Sequence, residues 1–204
     1  MASGSVTKRQ WLAAIAVLCL GALLGRFVAI DPPKYSTLPI TVSFELHDQN
    51  NQIVRASDLR GQTLLVFFGY THCPDICPTT LSTIREVREA LGDTDPNFRG
   101  VFITVDPARD DPARLKTYVE HFDTQILGLG GTDEQIERAA QSFGAVYERG
   151  ESIAGGGYLM GHTAFGYVVD PAGEVAEVFA QGTPTADYVA RIRLLLPPGN
   201  LKSK

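Results

Sequence analysis

Leu64-Leu65-Val66-Phe67-Phe68-Gly69-Tyr70-Thr71-His72-Cys73-Pro74-Asp75-Ile76-Cys77-Pro78 is an apolar run followed at once by a short turn that holds two thiols. The run has the length and composition of a buried strand. Pro78 suits a first helical position, where its missing N–H costs nothing, and Leu81, Ile84, Val87 and Leu91 then follow at helical spacing until Gly92. The stretch therefore reads as a strand, a turn and a helix over Pro78–Leu91, with Cys77 at the helix N-terminus. Unpaired N–H groups and the positive end of the helix dipole favour a thiolate there. Three residues separate the cysteines, so a compact turn lets the two sulfurs share one ion or bond to each other. Such a pair holds a metal or makes and breaks a disulfide. The alternative is a structural disulfide or two core thiols, and a helix-opening loop is the wrong place for either.

Working outward, a hairpin is expected around Phe44–Val54 and a buried strand over Val101–Val105. Asp111 caps a helix from Pro112 to about Phe122, and Ile126–Leu129 suits a short strand. Thr132 opens a further helix with Ile136, Ala140 and Phe143 on one face and Gly144 as its stop. A second hairpin, Ala164–Val169 and Glu174–Phe179, turns at Asp170-Pro171-Ala172-Gly173 and leads to a last helix through Tyr188, Ile192 and Leu195. Strand–helix alternation closed by an antiparallel hairpin and a helix is the α/β, thioredoxin-like arrangement, here with an N-terminal hairpin extension. In that arrangement the loop before the second hairpin lies beside the cysteine turn.

The chain has four histidines, His47, His72, His121 and His162. His47 falls in the polar stretch His47-Asp48-Gln49-Asn50-Asn51, which reads as a hairpin turn, and His121 ends a helix whose apolar face is Leu115, Tyr118 and Phe122. His72 abuts Cys73 and suits an outer or solvent-facing position. His162 differs, because the glycine-rich loop Gly155-Gly156-Gly157-Tyr158-Leu159-Met160-Gly161 delivers it to the start of a strand.

Residues 11–30 are apolar apart from Arg26, and twenty helical residues span about 30 Å, the thickness of a hydrocarbon core. Lys8 and Arg9 precede this span and keep residues 1–10 in the cytoplasm, while Arg26 can snorkel to the far interface. A single transmembrane helix over 11–30 is therefore expected, with no clean cleavage site after it and Cys19 as a packing residue within it. Residues 31–39, rich in proline, form a linker, and residues 197–204 a C-terminal tail. All 23 acidic residues but only 15 of the 18 basic ones follow Ile30, so residues 31–204 carry a net charge of −8. That balance excludes nucleic acid and anionic lipid as partners of the domain. The segment 40–196 is one domain with a single core. Only Cys73 and Cys77 lie outside the apolar span, so this is not a disulfide-stapled scaffold.

Phe67–Pro78, then Val105-Asp106-Pro107-Ala108-Arg109-Asp110, then His162-Thr163 ahead of Val168-Val169-Asp170-Pro171-Ala172-Gly173 together resemble the Sco/SenC family of copper-binding assembly factors for cytochrome c oxidase. The likeness covers about Ile40 to Leu196. It implies that Cys73, Cys77 and His162 bind copper. One departure is Gly161, where the family commonly has an acidic residue.

Two thiolates and an imidazole suit Cu(I) as a three-coordinate site, and Cu(II) if water or a carboxylate adds a ligand. Zinc fits the ligand types, but a structural zinc site would close its shell with a fourth protein ligand. Asp75 and Asp106 are candidates for outer or occasional oxygen ligands, against an equal case for turn and capping chemistry. The resemblance implies a copper chaperone, anchored in a bacterial inner membrane with its domain on the periplasmic side, that delivers copper to the dinuclear CuA centre in the copper-binding subunit of the oxidase. A further periplasmic copper chaperone or a thiol reductase would serve it, since an oxidising compartment must not close the thiol pair. The alternative is a thiol-disulfide oxidoreductase that reduces the oxidase copper-site cysteines with Cys73 and Cys77 as its dithiol. In a weaker third reading, a peroxidase-like relative, His162 would have no task.

Overall fold

A computed structural model describes residues 40–92, 96–153 and 157–196. The strands are β1 (Glu45–Asp48), β2 (Ile53–Arg55), β3 (Thr63–Gly69), β4 (Phe98–Thr104), β5 (Leu127–Gly130), β6 (Tyr147–Ile153), β7 (Gly157–His162), β8 (Gly166–Val169) and β9 (Val175–Phe179). The helices are α1 (Ile76–Leu91), α2 (Pro112–Phe122), α3 (Asp133–Phe143) and α4 (Thr185–Arg193). Among the described residues, seven strands form one sheet in the order β2-β1-β5-β4-β3-β8-β9, while β6 and β7 pair only with each other.

The centre of the sheet is parallel, β3 with β4 and β4 with β5, and its margins are antiparallel. Every residue of β3 is buried, as expected of a strand covered on both faces. Its side chains alternate between the faces. Phe67 meets Phe102 on the side where α1, α2 and α4 pack together, and Phe68 meets Phe143 of α3 and Tyr167 of β8 on the other. This is the expected thioredoxin-like α/β architecture, and the β1–β2 hairpin extends the sheet beyond β5.

Several expectations need correction. The first helix starts at Ile76, not Pro78, so Pro78 is its third residue and Asp75 its N-cap. None of the first four N–H groups of a helix has an intrahelical partner, so proline fits anywhere in that turn. His47 lies within β1, opposite Ile53 on one side and Gly130 on the other. The hairpin turn falls after it, with Asn51 in the left-handed region at φ 61°. The glycine-rich segment is not a loop beyond residue 156 but strand β7, whose partner β6 has no counterpart in the expected elements. The next strand opens at Gly166 rather than Ala164. No helix among the described residues is long and apolar enough to cross a membrane. The expected span 11–30, linker 31–39 and tail 197–204 lie outside the described residues.

Candidate metal centre

β3 ends at Gly69 and the chain turns through Tyr70–Asp75 into α1. Gly69 lets this turn fold back closely, since a Cβ there would come within 2.7 Å of both Cys77 Sγ and Phe102 Cε2. Cys77, in the first turn of α1, is fully buried against that strand, and Cys73 at the turn is half-buried. The backbone N–H of Cys77 points at Cys73 Sγ, 3.5 Å away.

The two thiols do not share one chemistry. Burial pushes the Cys73 thiol up, but backbone N–H groups of Asp75, Cys77 and Ile76, with the Cys77 side chain, outweigh it and bring Cys73 below the usual range. Burial holds the Cys77 thiol far above it, and neighbouring Cys73 adds to the effect. The expectation that the helix N-terminus makes Cys77 the thiolate is therefore corrected. The orphan N–H groups serve Cys73, which sits in front of the helix, while Cys77 has been drawn into the core.

His162 ends β7 and reaches the thiols from the other side. Its Nε2 is 3.7 Å from Cys77 Sγ, and its ring stands edge-on between Phe67 and Tyr70, with centroids 5.9 Å from each. Nδ1 lies 3.3 Å from the Thr163 carbonyl. A proton on Nδ1 donated to that carbonyl leaves the Nε2 lone pair facing the sulfur, the tautomer a ligand needs. Burial lowers the affinity of this imidazole for a second proton. Cys73, Cys77 and His162 thus offer ligand atoms within 4.8 Å of one another. Two sulfurs and a neutral imidazole so placed fit a soft or borderline metal, copper above all.

The other candidates stand apart. His121 lies in the last turn of α2 with its ring against Phe122. Asp75 is exposed, makes no side-chain cap, and reaches Cys73 through its backbone N–H alone. His72, Asp106 and Asp110 form a second compact group. Its carboxylates are already engaged: Asp110 accepts from Thr71 N, Thr71 Oγ1 and Thr104 Oγ1, and Asp106 from Tyr158 and Arg109. Two residues that sequence reasoning missed shape the centre, Tyr70 beside the imidazole and Tyr158 on Asp106. The only hint of the second was a tyrosine two residues along a strand face from Met160 and four from His162.

The profile of the SCO1/SenC family matches residues 33–196. A SCO2-like protein of Rickettsia felis is 39% identical over 137 residues, 67% of each chain. The copper-bound structure of ScoI from Bradyrhizobium japonicum is 36% identical and covers 76% of this chain and 99% of that one, with a TM-score of 0.70. Copper-bound ScoI from Arabidopsis thaliana is 29% identical over the same share of this chain, 99% of its own, also with a TM-score of 0.70.

Proposed function

Since the chain belongs to the SCO1/SenC family, we propose that it binds one copper ion through Cys73, Cys77 and His162 and hands it to the copper-binding subunit of cytochrome c oxidase during assembly of the CuA centre. The observation that carries this reading is the convergence of two sulfurs and Nε2 within 4.8 Å on a core that holds Cys77 fixed. Copper is the cargo. Cys73, half-exposed and lowered in pKa, is the group that meets it first. Cys77 gives up its proton only as the metal replaces it, so loading releases a proton. His162 is neutral beforehand and needs to lose none. The same face of the domain that admits the ion must release it, because Cys73 and His162 are partly exposed there while Cys77 is buried.

The difference between the thiols also favours a second reading, a dithiol reductase. The Cys73 thiolate would attack a target disulfide and form a mixed disulfide. Cys77 would then displace the target's second sulfur as a thiolate, leaving Cys73 bonded to Cys77 and the target with two thiols. That chemistry has no use for His162. Metal analysis of the reduced full-length chain separates the two. The wild type should hold one copper, binding should be severely weakened in Cys73→Ala, Cys77→Ala and His162→Ala, and His47→Ala and His121→Ala should keep it. Full copper content in His162→Ala would leave the reductase as the better account.

The span 11–30 is proposed as the anchor that keeps this domain on the periplasmic side of a bacterial inner membrane. A reporter active only outside the cytoplasm and fused after Lys204 should be active, and the protein should stay with the membranes in high salt. Recovery as a soluble protein would refute the anchor.

A further inference from the structure

β7 carries a required side chain but belongs to a two-stranded sheet of its own, so something must register it against the thiols. The loop Asp106–Asp110 touches both. At one end the buried Asp110 carboxylate takes the N–H and hydroxyl of Thr71 at 2.9 and 2.6 Å, and the hydroxyl of Thr104 at 2.6 Å, which ties the loop to the cysteine turn and to β4. At the other end the buried Asp106 accepts from the Tyr158 hydroxyl at 2.6 Å and pairs with Arg109. Arg109 Nη1 donates to the Tyr158 carbonyl at 3.0 Å, and its guanidinium lies 3.6 Å from the centre of the Tyr158 ring. Arg149 of β6 places a second guanidinium 3.7 Å from that ring.

Tyr158 and His162 lie four residues apart on one strand, so their side chains project from the same face. Fixing the first sets the second. We propose that Tyr158 is a positioning residue, held by Asp106 and Arg109, that registers the His162 strand against the cysteine turn to which the same loop is fastened through Asp110. The histidine then approaches Cys77 at a distance that the loop helps to set, alongside the packing of Tyr147 and Met160 on the core. This inference rests on the copper reading for its consequence, but the positioning itself exists in the metal-free protein.

The test is Tyr158→Phe in the full-length chain, which removes the hydroxyl and keeps the ring. In reduced, metal-free protein, amides of β7 should exchange with solvent about tenfold faster, while those of β3 and β4 stay as in the wild type. In competition with a chromophoric Cu(I) chelator, affinity should fall about tenfold, the usual scale for losing a group that orients a ligand. In a His162→Ala background the same change should weaken copper no further, because its effect passes through the imidazole. Unchanged exchange in β7 would overturn the positioning role. An equal loss of affinity in the His162→Ala background would overturn it too, by showing that Tyr158 acts on the cysteines instead. A wild type that fails to bind Cu(I) would refute the copper reading, and the exchange result would still decide the role of Tyr158.

Discussion

The two halves of the candidate metal centre are built on different foundations. The cysteine turn leaves a strand buried along its whole length, and Cys77 is packed among Gly69, Phe67 and Phe102 in the main core. The histidine half stands on β6–β7, outside the seven-stranded sheet, with Leu159 and Gly161 exposed while Tyr147 and Met160 pack against the core. One half is fixed by the fold and the other is held against it. On the copper-delivery proposal such a division would help, because a ligand on a separate hairpin could withdraw without disturbing the core.

Hydrogen exchange gives the sharpest way to break this contrast. Local opening ranges from near zero to the global stability of a domain, about 5–15 kcal/mol. Amides of β3 and β4 should therefore outlast those of β6 and β7 by at least about a thousandfold. Equal protection would mean that the hairpin is as much part of the core as β3.

Gly69→Ala probes the fixed half directly. Its new Cβ would meet Cys77 Sγ and Phe102 Cε2 at 2.7 Å and Phe67 Cε1 at 3.1 Å, with no flexible chain end to yield. Overpacking of this kind costs about 1–3 kcal/mol, readable as a lower urea midpoint, and it should weaken copper binding by displacing Cys77. A variant as stable as the wild type would show that the turn can shift.

The thiols should differ in reactivity as they do in setting. With Cys73 lowered and Cys77 raised, alkylation of the reduced metal-free protein should modify Cys73 first and at pH below the range of an ordinary cysteine. Cys77 should stay protonated and resist as pH rises through that range. Mass spectrometry of timed samples reads both, and faster labelling of Cys77 would reverse the assignment.

The smallest effect is expected at Gly161→Ala on the hairpin. A Cβ there meets Glu148 Cγ at 3.2 Å, near the end of a flexible side chain, so the change should stay within about 0.5 kcal/mol. A loss as large as that of Gly69→Ala would erase the distinction between the halves.

Legibility in the sequence followed the same division. Leu64–Phe68 and the spacing of Leu81, Ile84 and Val87 are signals of burial, and they located β3 and α1 to within two residues. The hairpin gave no such signal. Tyr147–Ile153 mixes Glu148, Arg149 and Glu151 with few apolar residues, and four glycines over 155–161 dilute the alternation of β7. Its strands form because they pair with each other and lean on Arg109 and Asp106, some fifty positions away, and on Tyr70, some ninety away. His162 was singled out by its neighbours and by resemblance, not by periodicity. The exchange of roles between the cysteines was illegible for a related reason: burial of Cys77 depends on how closely Gly69 lets α1 approach, which no local pattern records.

The most direct test of the central claim is the Cu(I) affinity of His162→Ala against the wild type, measured on the reduced full-length chain by chelator competition, with His121→Ala as control. The expected result is a loss larger than the roughly 10–100-fold that removal of an orienting partner costs, and no change in the control. Wild-type affinity in His162→Ala would contradict a centre made of two sulfurs and this imidazole.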